Sequence, residues 1–309
     1  VNFVRRTVAE SLFVLWIVLS ITFLLLRALP GDAILSTLLD SGASAEAVEM
    51  RRAALGLDAP VMHQYLVFIS GVLRFDFGVS LLDGQPVLAK VAQQWQYTFE
   101  LAVISSLIAV SAGVVLGITG AEIAVGKSFA AAANLAAAVL QSVPIYWLGT
   151  LVIIVFAVIL DWFPASGASS PGAWFLPALT LGLSGAAGIA RVSRAAFADA
   201  QRAGYFQTAA AKGLTEKRIA LRHMLPNALP PIITAAALNT GFVLSGTVLV
   251  ETVFNRPGVG RLLLDSILRG DLPVVQGIAC LTVIVFTLLL LWGRLMHHLI
   301  DPRLRIPER

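Results

Sequence analysis

The residues able to do bond chemistry are few in this 309-residue chain, and their spacing suits none. Cys280 is the single cysteine, so no internal disulfide or thiolate cage can form, and it reads as a small core residue. His297 and His298 are adjacent, and neighbours on a helix point in different directions, which defeats a shared metal ion. No G-x-x-x-x-G-K-[ST] phosphate loop occurs, and no row of carboxylates lies inside the apolar stretches to relay protons. What remains are isolated polar groups in apolar surroundings: Ser142, Asn239, Thr240 and Ser245, with Glu251 just beyond the fifth apolar stretch. Such groups line a wet passage for a polar solute, or bond one helix to its neighbour, which is the commoner use. Glu251 has two readings as well, pairing with an arginine or meeting the amine of a ligand.

The elements that position these groups must be membrane-spanning helices. The chain is 58% hydrophobic and only 13% charged, against about 25% charged in a soluble domain. A bilayer core needs about 20 apolar helical residues, because no water is there to satisfy the backbone. Six stretches qualify: residues 11–26, 101–121, 128–160, 162–190, 224–250 and 272–293, none containing Asp, Glu, Lys or Arg. The third, fourth and fifth exceed one span, and Pro144, Pro164, Pro171, Pro177, Pro230 and Pro231 mark boundaries or kinks. Arg5-Arg6 before the first stretch resembles an export signal. The apolar run is too long for one and lacks a cleavage site, so an uncleaved span is expected. With the N-terminus inside, the cytoplasmic segments hold Arg5, Arg6, Lys127, seven basic residues from Arg191 to Arg222 and four from Arg294 to Arg309. The short outer connections hold only Arg256, Arg261 and Arg269, and the long outer segment counts little, so both termini are expected on the cytoplasmic side. The same distribution explains the net charge of +4 and removes the only support for nucleic acid as a partner.

Two water-facing segments carry pattern. After the first span, residues 47–55 have helical composition closed by Gly56. Residues 61–73 form an amphipathic stretch with Tyr65, Leu66, Phe68, Ile69, Val72 and Leu73 on its apolar face. These elements predict a collar that either receives a soluble partner or braces the bundle. Between the fourth and fifth spans, residues 195–212 read as an alanine-rich helix stopped by Gly213. Thr215 offers an N-cap with Glu216 beside it, and a second helix is expected to run to Pro226. Ala209-Ala210-Ala211 make a small face, Ile219, Leu221 and Leu225 supply apolar contact, and arginines form a rim. This helix–glycine–helix hairpin reads as a docking knob, the plain connector being the alternative.

These words in this order resemble the permease subunit of a bacterial dipeptide/oligopeptide ATP-binding-cassette (ABC) importer. The hairpin is similar to the EAA loop of that superfamily, its triplet falling on Gln207, Thr208 and Ala209, its glycine on Gly213 and its leucine-proline on Leu225-Pro226. Gln207 stands for the usual glutamate, Thr208 for the first alanine, and His223 where isoleucine is common. Leu214, Leu221-Arg222-His223 and Asn227-Ala228 fit the peptide-permease branch. So do Leu29-Pro30-Gly31-Asp32, Leu55-Gly56-Leu57-Asp58-Ala59-Pro60, Gln64-Tyr65-Leu66 and Asp76-Phe77-Gly78-Val79-Ser80. Phe163-Pro164-Ala165-Ser166-Gly167, Leu176-Pro177-Ala178-Leu179-Thr180, Val250-Glu251-Thr252-Val253-Phe254, Pro257-Gly258-Val259-Gly260 and Asp301-Pro302-Arg303 continue the likeness to the end.

The resemblance implies an all-α polytopic membrane protein with six spans in the type I (MetI-like) permease fold. Residues 1–94 would add an N-terminal span and collar, 95–298 the transport core, and 299–309 a cytoplasmic tail. It implies a plasma-membrane subunit with no catalytic site and no cofactor of its own. ATP and Mg2+ would be bound by two partner ATPase subunits, beside a second similar permease and an extracytoplasmic solute-binding protein. Closure of the ATPases would push the hairpin, through Gln207, Thr208, Ala209, Gly213, Leu214, Leu225 and Pro226, and switch the permeases between two states. The expected cargo is short peptides, with glutathione, nickel chelates, haem or another small solute as alternatives on the same machinery. A self-driven secondary carrier would need an ionisable couple within the spans or inverted repeats, and neither is evident. A membrane-embedded enzyme would need convergent His, Asp or Glu there.

Overall fold

A computed structural model describes residues 2–28, 46, 58–121 and 126–300. The expected helix at 47–55, the motifs at 29–32 and 55–57, and the tail motif at 301–303 lie outside the described residues. Among those described the architecture is all-helical, with one isolated antiparallel bridge, Val79 to Pro86. The helices are α1 (Asn2–Ala28), α2 (Val61–Leu73), α3 (Val87–Gly120), α4 (Lys127–Ser142) and α5 (Ile145–Ile153, widened into a π-turn over Ile154–Ile159). There follow α6 (Phe175–Arg202), α7 (Gly204–Ala211), α8 (Glu216–Ile219, passing through a π-turn over Ala220–Met224), α9 (Leu225–Val253), α10 (Val259–Leu268) and α11 (Leu272–Ile300). Among the described residues, five helices or helix runs are long and apolar enough to span a membrane: α1, α3, α6, α9 with its preceding turn, and α11. The sixth expected span is the pair α4 and α5, bent by 109° where Val143 takes extended backbone before Pro144. Proline disfavours helical geometry in the residue before it, which is why the chain breaks there.

By packing, the chain divides into two compact units, Val1–Gln94 with Leu262–Arg309, and Trp95–Arg261. In the first, α1 packs against α11 and α2, and Leu19, Val72 and the buried Cys280 form its core with Leu15, Phe68, Phe77 and Ile284. Phe23 stacks on Phe68 (5.3 Å between centroids) and meets the edge of Tyr65 (5.4 Å), whose hydroxyl lies 2.7 Å from Ser20 Oγ. The expected apolar face of α2 is corrected here: Leu66 and Leu73 are 60% and 77% exposed, while Gln64 is buried with Val72. One face of a helix is narrower than six residues within nine positions allow. Gln64 is tolerated inside because its Nε2 donates to the Ala59 carbonyl (2.7 Å). At the start of α11, buried Asp271 accepts from Ser80 Oγ (2.5 Å) and Leu81 N–H (3.0 Å).

The second unit is built on glycine. A Cβ at Gly113 or Gly182 would come within 2.9 Å of the Ala186 or Ser105 carbonyl, and one at Gly117 within 2.8 Å of the Ala190 carbonyl. Backbones of α3 and α6 therefore touch, through a Gly113-x-x-x-Gly117 step of the kind that brings helices together in lipid. The principal partner of α6 is α9, where Gly246 admits Leu181 and Gly185 lies against Asn239. Leu101, Leu176, Leu181, Val243, Val250 and Phe254 fill the space between these helices.

Candidate coupling hairpin and pathway residues

The hairpin is present, with different joints from those its composition suggests. Helix does not run unbroken over 195–212: α6 ends at Arg202, Ala203 is extended (ψ 144°), and α7 restarts at Gly204. Alanine is a good helix former, but here tertiary packing overrides propensity. The turn lets Phe197 and Ala200 of α6, Ala209 of α7, and Ile219, Ala220 and Met224 bury together, with Ala228 and Ile232 of α9 completing the cluster. Gly213 closes α7 with φ +77°, its N–H donating to the Ala210 carbonyl (2.9 Å) and Leu214 N–H to that of Ala209 (3.3 Å). This is the paired Schellman pattern, which requires positive φ at that position. Thr215 stands at the start of α8, its carbonyl accepting Ile219 N–H (3.0 Å).

Pro226 does not end the second helix, as the sequence suggested. The π-turn over Ala220–Met224 shifts the hydrogen-bond register just ahead of it, so the proline falls in the first turn of α9, where its missing N–H is harmless. Asn227 Nδ2 donates to the His223 carbonyl (2.7 Å) beside the shift. Helix then continues through Pro230 and Pro231 to Val253.

Within the hairpin the expected contact residues separate. Ala209 is buried and packs inward, as does Ile219; Leu214 and Leu225 are half-buried against the same cluster. Gln207, Thr208, Ala210, Ala211, Gly213 and Pro226 are exposed, with Leu221 (55% exposed) between exposed Arg218 and Arg222. A Cβ at Gly213 would have no neighbour within 4 Å. An open groove of about 290 Å³ lies alongside, lined by Asp199, Tyr205, Asn227 and Pro231 among others.

The polar span residues fare unequally. Ser142 and Ser245 are exposed, each hydroxyl donating to the carbonyl four residues back, Ala138 (2.9 Å) and Gly241 (3.2 Å). Thr240 is half-buried, and Asn239 is buried against Gly185. Glu251 is fully buried and lines nothing open. Its Oε1 accepts from Thr98 Oγ1 (2.6 Å) and its Oε2 from the Arg261 N–H (3.0 Å), while Thr98 Oγ1 accepts from Val259 N–H (2.8 Å). Gly258 and Gly260 crowd the carboxylate so closely that a Cβ at either would meet it. Arg256, buried beside it, donates to Glu100 and lies over the Tyr97 ring (5.6 Å).

Thr98, Glu100, Arg256 and Asp271 were not singled out from the sequence, and Ser80 stood only inside a family motif. Their partners are distant along the chain; Glu100 and Asp271, each an acidic residue directly ahead of an apolar run, left a local sign. The Gly113/Gly117 step was legible and passed over.

The fold defined by these helices is that of ABC-transporter membrane components. A solved chain of the MetNI methionine ABC transporter, inward-facing, superposes with a TM-score of 0.60 at 18% identity over 69% of this chain and 96% of that one. A chain of an amino acid ABC transporter crystallised with histidines gives 0.51 at 15% identity, over 70% and 94%. The chain belongs to the family of binding-protein-dependent transport system inner membrane components, whose model matches residues 113–306, and the family's N-terminal model matches 1–102. The glutathione transport system permease GsiC of Pectobacterium atrosepticum is 40% identical over 94% of both chains. That of Escherichia coli K12 is 37% identical over 98% of this chain and 99% of its own. The protein is thus a multi-pass inner-membrane permease subunit of an ABC importer.

Proposed function

We propose that the subunit forms half of the pathway of an ATP-driven importer of short peptides, glutathione being the first to test. The names of its relatives support glutathione, itself a tripeptide. The observation that carries the coupling role is the hairpin: fixed from within by the cluster around Met224, it holds an outward face at Ala210, Ala211 and Gly213. ATP and Mg2+ act in the two ATPase subunits, which press on this face. A second permease completes the pathway, and a solute-binding protein delivers cargo from the other side. In this reading both termini and the hairpin face the cytoplasm, in keeping with the lysine and arginine distribution. Ser142, Thr240 and Ser245 border the passage, and Glu251 serves it only by holding the backbone that follows α9.

Vesicles containing the whole transporter should accumulate radiolabelled glutathione or dipeptide against a gradient when ATP and the binding protein are supplied. The chain reconstituted alone should not. Uphill accumulation by the chain alone overturns the borrowed-motor reading. Accumulation of neither solute by the complete assembly overturns the substrate.

A further inference from the structure

Helix α2 carries large apolar side chains on both sides, His63 and Ser70 being the polar residues on its exposed side, where Ser70 Oγ donates to the Val67 carbonyl (2.8 Å). Its inward side holds Tyr65, Phe68 and Val72 against α1 and α11. Its other side exposes Val61 (57%), Met62 (68%), Leu66 (60%), Val67 (56%) and Leu73 (77%), and no charged residue occurs between Val61 and Leu73. A helix with large apolar side chains on both sides needs cover on both, and the few polar groups of α2 do not supply it.

What covers the outer side follows from depth. The apolar run of α1 ends at Leu26, before Arg27, and that of α11 opens at Leu272, after Asp271. Val72 packs with Leu19 and Cys280. At 1.5 Å per helical residue, Leu19 lies roughly 10 Å inside the first boundary and Cys280 roughly 12 Å inside the second. Two independent rulers therefore set the end of α2 about 10 Å within the apolar layer, level with the acyl chains of one leaflet. The contact of Tyr65 with Ser20 fits the same level. The exposed side chains of α1 at that level, Ile21, Leu24 and Leu25, continue the lipid-facing surface. Charge is confined to the flanks, Asp58 before α2 and Arg74 and Asp76 after it, and the arginine stem is long enough to carry its head toward phosphates.

We propose that α2 is sunk in one lipid leaflet, with Met62, Leu66, Val67 and Leu73 against acyl chains rather than against water or a soluble partner. Cysteines at Met62, Leu66 and Leu73 of the full chain, in vesicles of phosphatidylethanolamine and phosphatidylglycerol, would carry nitroxide labels. The unsubstituted chain is the background, because Cys280 is buried. Leu12→Cys on exposed α1 and Gln201→Cys at the end of α6 give the lipid and water references. Membrane-dissolved oxygen should relax the three labels as strongly as it does Leu12→Cys, and a water-soluble nickel chelate should leave them untouched. Preferential relaxation by nickel, as at Gln201→Cys, overturns the proposal in favour of a solvated face. Immobile labels that neither reagent reaches overturn it in favour of a protein neighbour.

Discussion

The hairpin and the loop after α9 both follow long apolar helices, both contain positive-φ residues (Gly213 and Asn255), and both match words of the family. They differ in where their polar groups go. In the loop, the carboxylate of Glu251, the hydroxyl of Thr98 and the N–H groups of Val259 and Arg261 are matched to one another in a buried network. In the hairpin, Gln207, Thr208, Lys212 and Arg222 stand exposed around a scaffold held by apolar burial and two backbone hydrogen bonds. Polar residues turned inward keep a shape; the same kinds turned outward offer themselves to another molecule.

Substitutions that exchange these roles sharpen the contrast. The largest loss of stability is expected for Glu251→Leu, which strands two donors at about 1–3 kcal/mol each. Thermal unfolding in detergent should drop accordingly, and Thr98→Val in the same background should then cost less than it does alone. An unchanged midpoint would mean that the loop is held by something else. Ala209→Leu forces bulk into the hairpin's own core and should cost about 1–3 kcal/mol, read by the same unfolding assay. Gly213→Glu should cost only about 1 kcal/mol in backbone strain. It should leave membrane insertion intact and yet abolish uptake and weaken co-purification of the ATPase; Gly213→Asn, which tolerates positive φ, should be milder. Normal uptake by Gly213→Glu refutes docking at the turn.

The smallest effect belongs to the other unit. Lys90, 2.7 Å from Asp83, holds that carboxyl below its ordinary value of 3.8. A carboxyl lowered on folding stabilises above its unfolded value and loses that contribution as the pH falls through the lowered one. Asp83→Asn should therefore shift the unfolding midpoint slightly at neutral pH and not at all in strong acid. The pair is part-exposed, so the change should be a few tenths of a kcal/mol.

The spans were legible because lipid demands length and apolarity, and both are local. The bounds of α2 follow from Pro60 and the run of apolar residues up to Arg74. The break at Ala203 was not legible, because its cause is the meeting of Phe197 with Met224, and Gly204 was the only local sign. Pro226 misled for the opposite reason: a proline stops a helix unless the register has already shifted, and the shift at Ala220–Met224 has no sequence signature. For the candidate site, the position of Gly213 and the exposure of Gln207 and Thr208 could be anticipated. The inward turn of Ala209 could not, since one alanine of three looks like another until the helix is rotated into place.

From Glu216 to Val253 the backbone runs as one column, without a loop to absorb movement. In the proposed coupling, a thrust at the Gly213 turn would reach Glu251 as displacement or torsion, less whatever slack the wide turn at Ala220–Met224 and the donorless Pro230-Pro231 step allow. On that proposal the carboxylate that clamps the far end would be the anvil against which the slack is taken up, and its grip would set how much of the stroke is delivered rather than lost as backlash.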